Sequence, residues 1–304
     1  MSDFVQQQSV ECRFDSSDSW VILSPIEQSI KRKIESVGTP LKDWDIQINY
    51  GIKTGFNDAF IITTEKRNEI LDNCSSEEER TKTAELIRPI LRGRDIKRYG
   101  YNWADLWLIA TFPSRHYDIE EFPAVKAYLL SFGKKRLEQT GKKYLIYGEE
   151  IKARKKTCNK WFETQDSISY WEDFFKPKIV WARLMRIAQS DIDAFPRFCY
   201  VPEDFFIVDS LCFFTGENIE QIVLALNSEY AAWYFFNNVA TLDNGGFQMR
   251  QQYVEEIPLP DLSRLSSNNI DKHIYDGFGF NNEEVSYIRD IIKAKKEEIL
   301  FAGH

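Results

Sequence analysis

The stretch RFCYVPEDFFIVDSLCFFTGENIEQIVLALNSEYAAWYFFNN (197–238) sets the fold class. It opens with three short runs rich in β-branched and aromatic residues, RFCYV (197–201), FFIV (205–208) and LCFFT (211–215), bounded by Pro, Asp and Gly. Such runs suit a pleated, buried surface and read as strands. From residue 218 the period changes. Ile222, Leu226, Tyr230 and Tyr234 recur at i+4, which predicts one helix over 218–238 with Asn218 at its cap. Strands that run straight into an amphipathic helix point to an α+β protein.

Working outward, KIVWARL (178–184) adds a β-prone run, and ADLWLIAT (104–111) another. WDIQINY (44–50) alternates, and AFIIT (59–63) follows a loop bounded by Gly51 and Gly55, so the two predict a hairpin-like unit. Helices are predicted from Ser24-Pro25, with Ile26, Ile30 and Ile34 on one face before Gly38, over 65–87, and around 120–140. A last one spans 282–301, with Val285, Ile288, Ile292 and Ile299 on one side. There is no internal repeat, low-complexity tract or long linker. The expectation is an α+β fold with mixed or antiparallel sheets and packed helices. Residues 1–20 read as a tail, 21–262 as the main unit and 263–304 as a helical C-terminal extension.

Bulk properties exclude several classes. The chain has 304 residues, 43% hydrophobic and 14% aromatic, which is a folding composition. No stretch approaches the roughly 20 apolar residues needed to span a bilayer. The polar, acidic N-terminus lacks a signal-peptide core, so a cytoplasmic protein without membrane partners is expected. Cys12, Cys74, Cys158, Cys199 and Cys212 form no CxxC pair, and with His116, His273 and His304 they give no zinc-ligand spacing. No metal site is expected.

Charge is unevenly placed. The net charge is −8, yet residues 88–186 carry 21 Lys and Arg against 12 Asp and Glu. That segment is +9 and the rest −17. Tyr99, Tyr101, Trp103, Trp107, Tyr144, Tyr147 and Trp161 are interleaved with the cations. A basic face with aromatics suits a phosphate backbone, because Lys and Arg displace condensed counterions there. For any single lysine cluster a solvated helix face is the simpler explanation.

Catalytic signatures are missing from the sequence. There is no glycine-rich loop for S-adenosylmethionine, no Asn/Asp/Ser-Pro-Pro-Tyr tetrapeptide to hold a flipped base, and no Walker A motif. The GFG at 277–279 is too short to signify more than a turn. None of the three histidines has an evident Ser or Cys nucleophile. Glu149-Glu150-Ile151-Lys152 matches a nuclease only superficially. The chain alone reads as a binding unit and not an enzyme, with no catalytic residue.

Five segments line up in order with one family: DWDIQINYGIKTGFNDAFII (43–62), ELIRPILRGRDIKRY (85–99), KPKIVW (176–181), LALNSEYAAWYF (224–235) and GGFQMRQQYVEEIPLP (245–260). Over about 20–262 the chain resembles the TaqI-like C-terminal specificity domain, the target-recognition region of adenine-specific DNA methyltransferases, above all of type IIG restriction-modification enzymes. The resemblance implies a target-recognition-domain-like fold and double-stranded DNA as partner. It also implies a parent protein that is a site-specific adenine methyltransferase fused to an endonuclease. The methyltransferase domain that precedes this region in the family is absent from the chain, so a C-terminal fragment and a stand-alone specificity protein are both expected readings. Residues 1–20 would then be the remnant of the junction. The methyltransferase domain of the parent chain would be a second partner. No cofactor is expected in this chain; S-adenosylmethionine and Mg2+ would belong to the catalytic domains.

Candidate DNA-binding residues fall in four places. Gly51 and Gly55 let the backbone approach a ligand closely, so Lys53, Thr54 and Asn57 offer donors to phosphates or base edges. Arg92, Arg94, Lys97 and Arg98 flank Gly93, with Asp95 placed to orient one arginine. Arg183 and Arg186 follow a core strand. After Gly245-Gly246 come Gln248, Arg250 and Gln251, where Gln suits adenine and Arg suits guanine. Each segment also has an ordinary structural reading as a turn, a salt bridge or a connecting loop. The competing function is a protein-interaction module whose basic middle meets an acidic partner.

Overall fold

The computed structural model describes residues 23–301 apart from 187, 203 and 243–245. The tail reading at 1–20 and Gly245 therefore lie outside the described residues. In chain order come α1 (Pro25–Val37), β1 (Ile46–Tyr50), β2 (Ile61–Thr63), α2 (Thr64–Asp72), α3 (Glu77–Leu86), β3 (Ile87–Leu91) and β4 (Leu106–Ile109). Then follow α4 (Pro123–Leu130), β5 (Lys143–Ile146), β6 (Glu149–Lys152), β7 (Lys178–Ala182), β8 (Met185–Arg186) and β9 (Cys199–Val201). The last are β10 (Phe206–Ile207), β11 (Leu211–Gly216), α5 (Ile219–Leu226), α6 (Glu229–Asn238), β12 (Gly246–Phe247), α7 (Ile270–Phe278) and α8 (Asn282–Phe301).

The expected α+β class with antiparallel and mixed sheets is what the chain adopts. One antiparallel sheet has the order β9-β7-β11-β1. A mixed sheet has the order β10-β3-β4-β2, with β10 parallel to β3. The first sheet is the wall between two hydrophobic cores. Side chains alternate across a strand, so Ile179, Trp181, Cys212 and Phe214 enter one core. Val180, Cys199, Val201, Leu211 and Phe213 enter the other, with the second sheet. Full burial of each large side chain stabilises by about 2–3 kcal/mol. Burial also pushes the Cys199 and Cys212 thiols up to about 12. They sit on opposite faces and are protonated and inert at neutral pH.

Helices cover the first core. Ser24 and Glu27 form the capping box at the start of α1, with Pro25 in the first turn. Ile30 and Ile34 of α1, Ile274, Tyr275 and Phe278 of α7, and Ile288 and Ile292 of α8 are buried there. The C-terminal helices thus complete the core. No helix among the described residues is long and apolar enough to cross a membrane.

Several predicted elements are corrected. The hairpin of 44–50 with 59–63 does not form: β1 pairs with β11 and β2 with β4, in different sheets. Gly51 carries the chain between them. A Cβ there would stand 1.9 Å from the Val208 carbonyl oxygen. The glycine admits a close approach of the protein's own backbone and not of a ligand. Gly51→Ala is expected to destabilise by roughly 2–3 kcal/mol through this clash, read as a lower urea midpoint; an unchanged midpoint would contradict the crowding.

The helix over 218–238 is two helices. Asn227 turns its side chain away to exchange two hydrogen bonds with the Phe198 backbone, at 3.0 and 2.9 Å. Ser228 then caps α6 by accepting from the Ala231 amide. Asn218 adopts a left-handed conformation and makes no side-chain cap. The helix over 65–87 likewise breaks before Ser76, which caps α3. Gly133, at φ 84°, separates α4 from the turn Lys134–Leu137.

Candidate nucleic-acid interface

At one end of the first sheet, β7 stops at Ala182 and β1 at Tyr50, while β11 begins at Leu211. Beyond them lies an open cleft of about 650 Å³. Its walls include Tyr50, Arg183, Gln248, Arg250, Gln251 and Glu255. Four residues singled out from two separate segments therefore meet in one place.

Local chemistry explains the convergence. The Arg183 amide donates to the Ser210 carbonyl at 3.0 Å, which turns the chain out of the sheet. It returns as β8, whose Met185 and Arg186 pair with Phe247 and Gly246 of β12. Phe247 lies 4.6 Å from the Phe195 ring and 5.4 Å from Phe236. Met249 is buried, and its carbonyl accepts the Trp181 indole N–H at 2.8 Å. With 247 and 249 held inward, the period-two geometry turns Gln248 and Arg250 outward. Their backbone is thus pre-ordered by core contacts, which lowers the entropy lost on binding. The Gln251 amide donates to Glu255 at 2.9 Å. The Arg183 guanidinium lies 6.0 Å from the centre of the Tyr50 ring, at the edge of cation–π range.

A ledge of cations adjoins the cleft around the turn 208–210. The Val208 amide donates to Leu91, and the Asp209 amide to Ile52. These bonds bring Lys53, Arg92, Arg94 and Arg183 to one region. Arg94 and Lys53 are exposed. Arg92 is clamped by buried Asp95, which accepts from Nε at 3.2 Å and Nη2 at 3.0 Å. Asp95 orients one arginine, and it is this one. Arg186 is exposed on β8, and Lys97 is exposed on the loop before Tyr99.

Three candidates have other employment. Thr54 is buried, and its hydroxyl donates to the Asn57 side-chain oxygen at 2.6 Å. It holds the turn into the helical residues Asn57–Phe60 and presents nothing outward. Asn57 is exposed but has that oxygen engaged. Arg98 donates to the Asp193 carbonyl at 3.1 Å and to the Asn227 carbonyl, tying the region ahead of β9 to the α5–α6 junction. Tyr50 was missed by sequence reasoning. Its signal was the alternation of β1, which leaves residue 50 outward at the strand end.

The arrangement offers guanidinium groups, side-chain amides and an aromatic face on an open surface. That donor set suits hydrogen bonding to base edges and phosphates. Among the described residues no group of three or more His, Cys, Asp or Glu is placed to hold a metal.

The fold is that of a restriction-enzyme specificity region. The type IIG restriction endonuclease BpuSI superposes with a TM-score of 0.52 over 91% of this chain and 32% of that one, at 12% identity. The type IIL restriction-modification enzyme MmeI, solved in complex with DNA, gives 0.46 over 86% and 36%, also at 12%. The chain spans about a third of the length of these structures. The TaqI-like C-terminal specificity domain matches residues 88–259, and the chain belongs to that family. Among curated proteins no relative matches.

Proposed function

We propose that this chain is a DNA sequence-recognition unit of a restriction-modification system, with residues 21–262 carrying the recognition surface. The observation that carries the reading is the cleft in which Arg183, Gln248, Arg250 and Gln251 converge beside a basic ledge. The ledge grips phosphates in any sequence; the cleft side chains read base edges in the major groove. The family and the resemblance in segment order support a finer reading. The chain would work with an adenine-methyltransferase domain, and with a nuclease domain in a type IIG architecture. The duplex would lie between that domain and this one while an adenine is flipped out. S-adenosylmethionine and Mg2+ would be bound by those domains, not here.

Gel retardation on duplex DNA across a salt series tests the reading. The six cations Lys53, Arg92, Arg94, Arg183, Arg186 and Arg250 predict that log K falls against log salt with a slope of about −5. Retention of a protein partner with no duplex retained even at low salt would replace it with the protein-interaction module.

A further inference from the structure

Strands β5 and β6 form a hairpin whose register sets Lys143 opposite Lys152 and Leu145 opposite Glu150. Its two-residue loop is Tyr147-Gly148, at φ 50° and 87°. A left-handed position disfavours an aromatic side chain, and Asn or Gly is the ordinary choice there. Tyr147 gains nothing from packing in return: it is 104% exposed, and Leu145 on the same face is 78% exposed. The root carries Lys142, Lys143, Lys152, Lys155 and Lys156, all exposed. Like charges directly opposite one another in a ladder cost stability. The Lys143–Glu150 bridge at 2.8 Å relieves only part of that. The exposed Leu145 and Tyr147, set beside Glu149 and Glu150 at the tip, and the cationic root are both features that folding alone does not require.

The root is fixed to the cationic ledge. Buried Arg154, two residues beyond β6, donates to the Thr54 carbonyl at 2.9 Å, next to Lys53. The Lys53 carbonyl accepts from the Gln165 and Asp166 amides. Lys155 therefore continues the line of cations that begins at the cleft.

We infer that this hairpin is a second arm on the same duplex, a β-ribbon whose root lysines meet phosphates while Leu145 and Tyr147 contact bases in the groove. The inference rests on the DNA-recognition reading. Four residues at about 3.3 Å each reach roughly 13 Å. The major groove admits a two-stranded ribbon and is about 8.5 Å deep. The tip thus meets the groove floor while the root stays at the phosphates. Five lysines against two glutamates favour a polyanion over an acidic protein surface, because a polyanionic groove edge is matched on both flanks of the ribbon.

Two variants of the full chain test this on duplex DNA, each checked for unchanged circular dichroism. Lys152→Ala with Lys155→Ala and Lys156→Ala is expected to reduce the salt slope by about 2–3. Leu145→Ser with Tyr147→Ser is expected to weaken binding roughly tenfold with the slope unchanged. If the wild type retains duplex and both variants match it in affinity and slope, the hairpin arm is overturned while the recognition reading survives. A wild type that retains no duplex at low salt overturns both.

Discussion

Arg183→Ala combined with Arg250→Ala is expected to weaken duplex binding about 100-fold or more at constant salt. Each arginine can give a bidentate pair worth about 1–3 kcal/mol of discrimination, and each also neutralises phosphate charge. Both side chains are exposed, so thermal stability should be unchanged. The anchors beneath them, Phe247, Met249 and the Trp181 indole, are untouched. Two companions give the result its meaning. Arg92→Ala with Arg94→Ala should weaken binding on all sequences alike. Gln248→Ala should instead change which sequence is selected from a random pool. A double Arg183/Arg250 variant that binds as the wild type would remove the cleft from the interface.

Arg154→Met is expected to cost about 4 kcal/mol or more of stability, seen as a large drop in the urea midpoint. Arg154 is 4% exposed, although its sequence context is a run of surface lysines. It donates to the carbonyls of Leu137 at 2.8 Å, Thr54 at 2.9 Å, Glu163 at 2.8 Å and Trp161 at 2.6 Å. The guanidinium also lies 4.9 Å from the centre of the Phe60 ring. Burial pulls its pKa down to about 10, so it is still protonated at neutral pH. Methionine fills much of the volume but removes the donor from the Leu137, Thr54 and Trp161 carbonyls, each worth about 1–3 kcal/mol when buried, while the Glu163 carbonyl keeps the Gln139 side-chain amide at 3.0 Å. Arg154→Lys should recover part of the loss, since an ammonium has three donors and no fork. A midpoint within about 1 kcal/mol of wild type would show that water replaces the guanidinium.

Much of the fold was legible in the chain. The strand runs at 178–184, 197–201 and 211–215 all appear in one sheet. Ser24-Pro25 starts a helix as its chemistry requires. The errors have a common cause. Apolar spacing at i+4 continues through Asn227-Ser228 because both α5 and α6 bury residues in the same core. The period could not reveal that the Asn227 side chain prefers the Phe198 backbone, 29 residues away. The false hairpin of 44–50 with 59–63 failed similarly. Glycine-bounded proximity in sequence suggested pairing, yet each strand found a partner far along the chain.

The candidate site divides in the same way. Residue types and loop positions marked Arg183, Gln248, Arg250 and Gln251 as candidates, because alternation and glycine turns are local properties, and the fold brings them to one cleft. They placed Arg92 and Arg98 among the DNA-binding candidates and counted Arg154 only within the basic segment 88–186. Folding separated them by giving each a different set of partners: a buried carboxylate for Arg92, carbonyls of a helix junction for Arg98, a closed cage for Arg154. Class, strand content and the sign of the middle segment follow from short-range pattern and composition. Which cations remain available to a ligand depends on distant backbone carbonyls, whose positions no local period records.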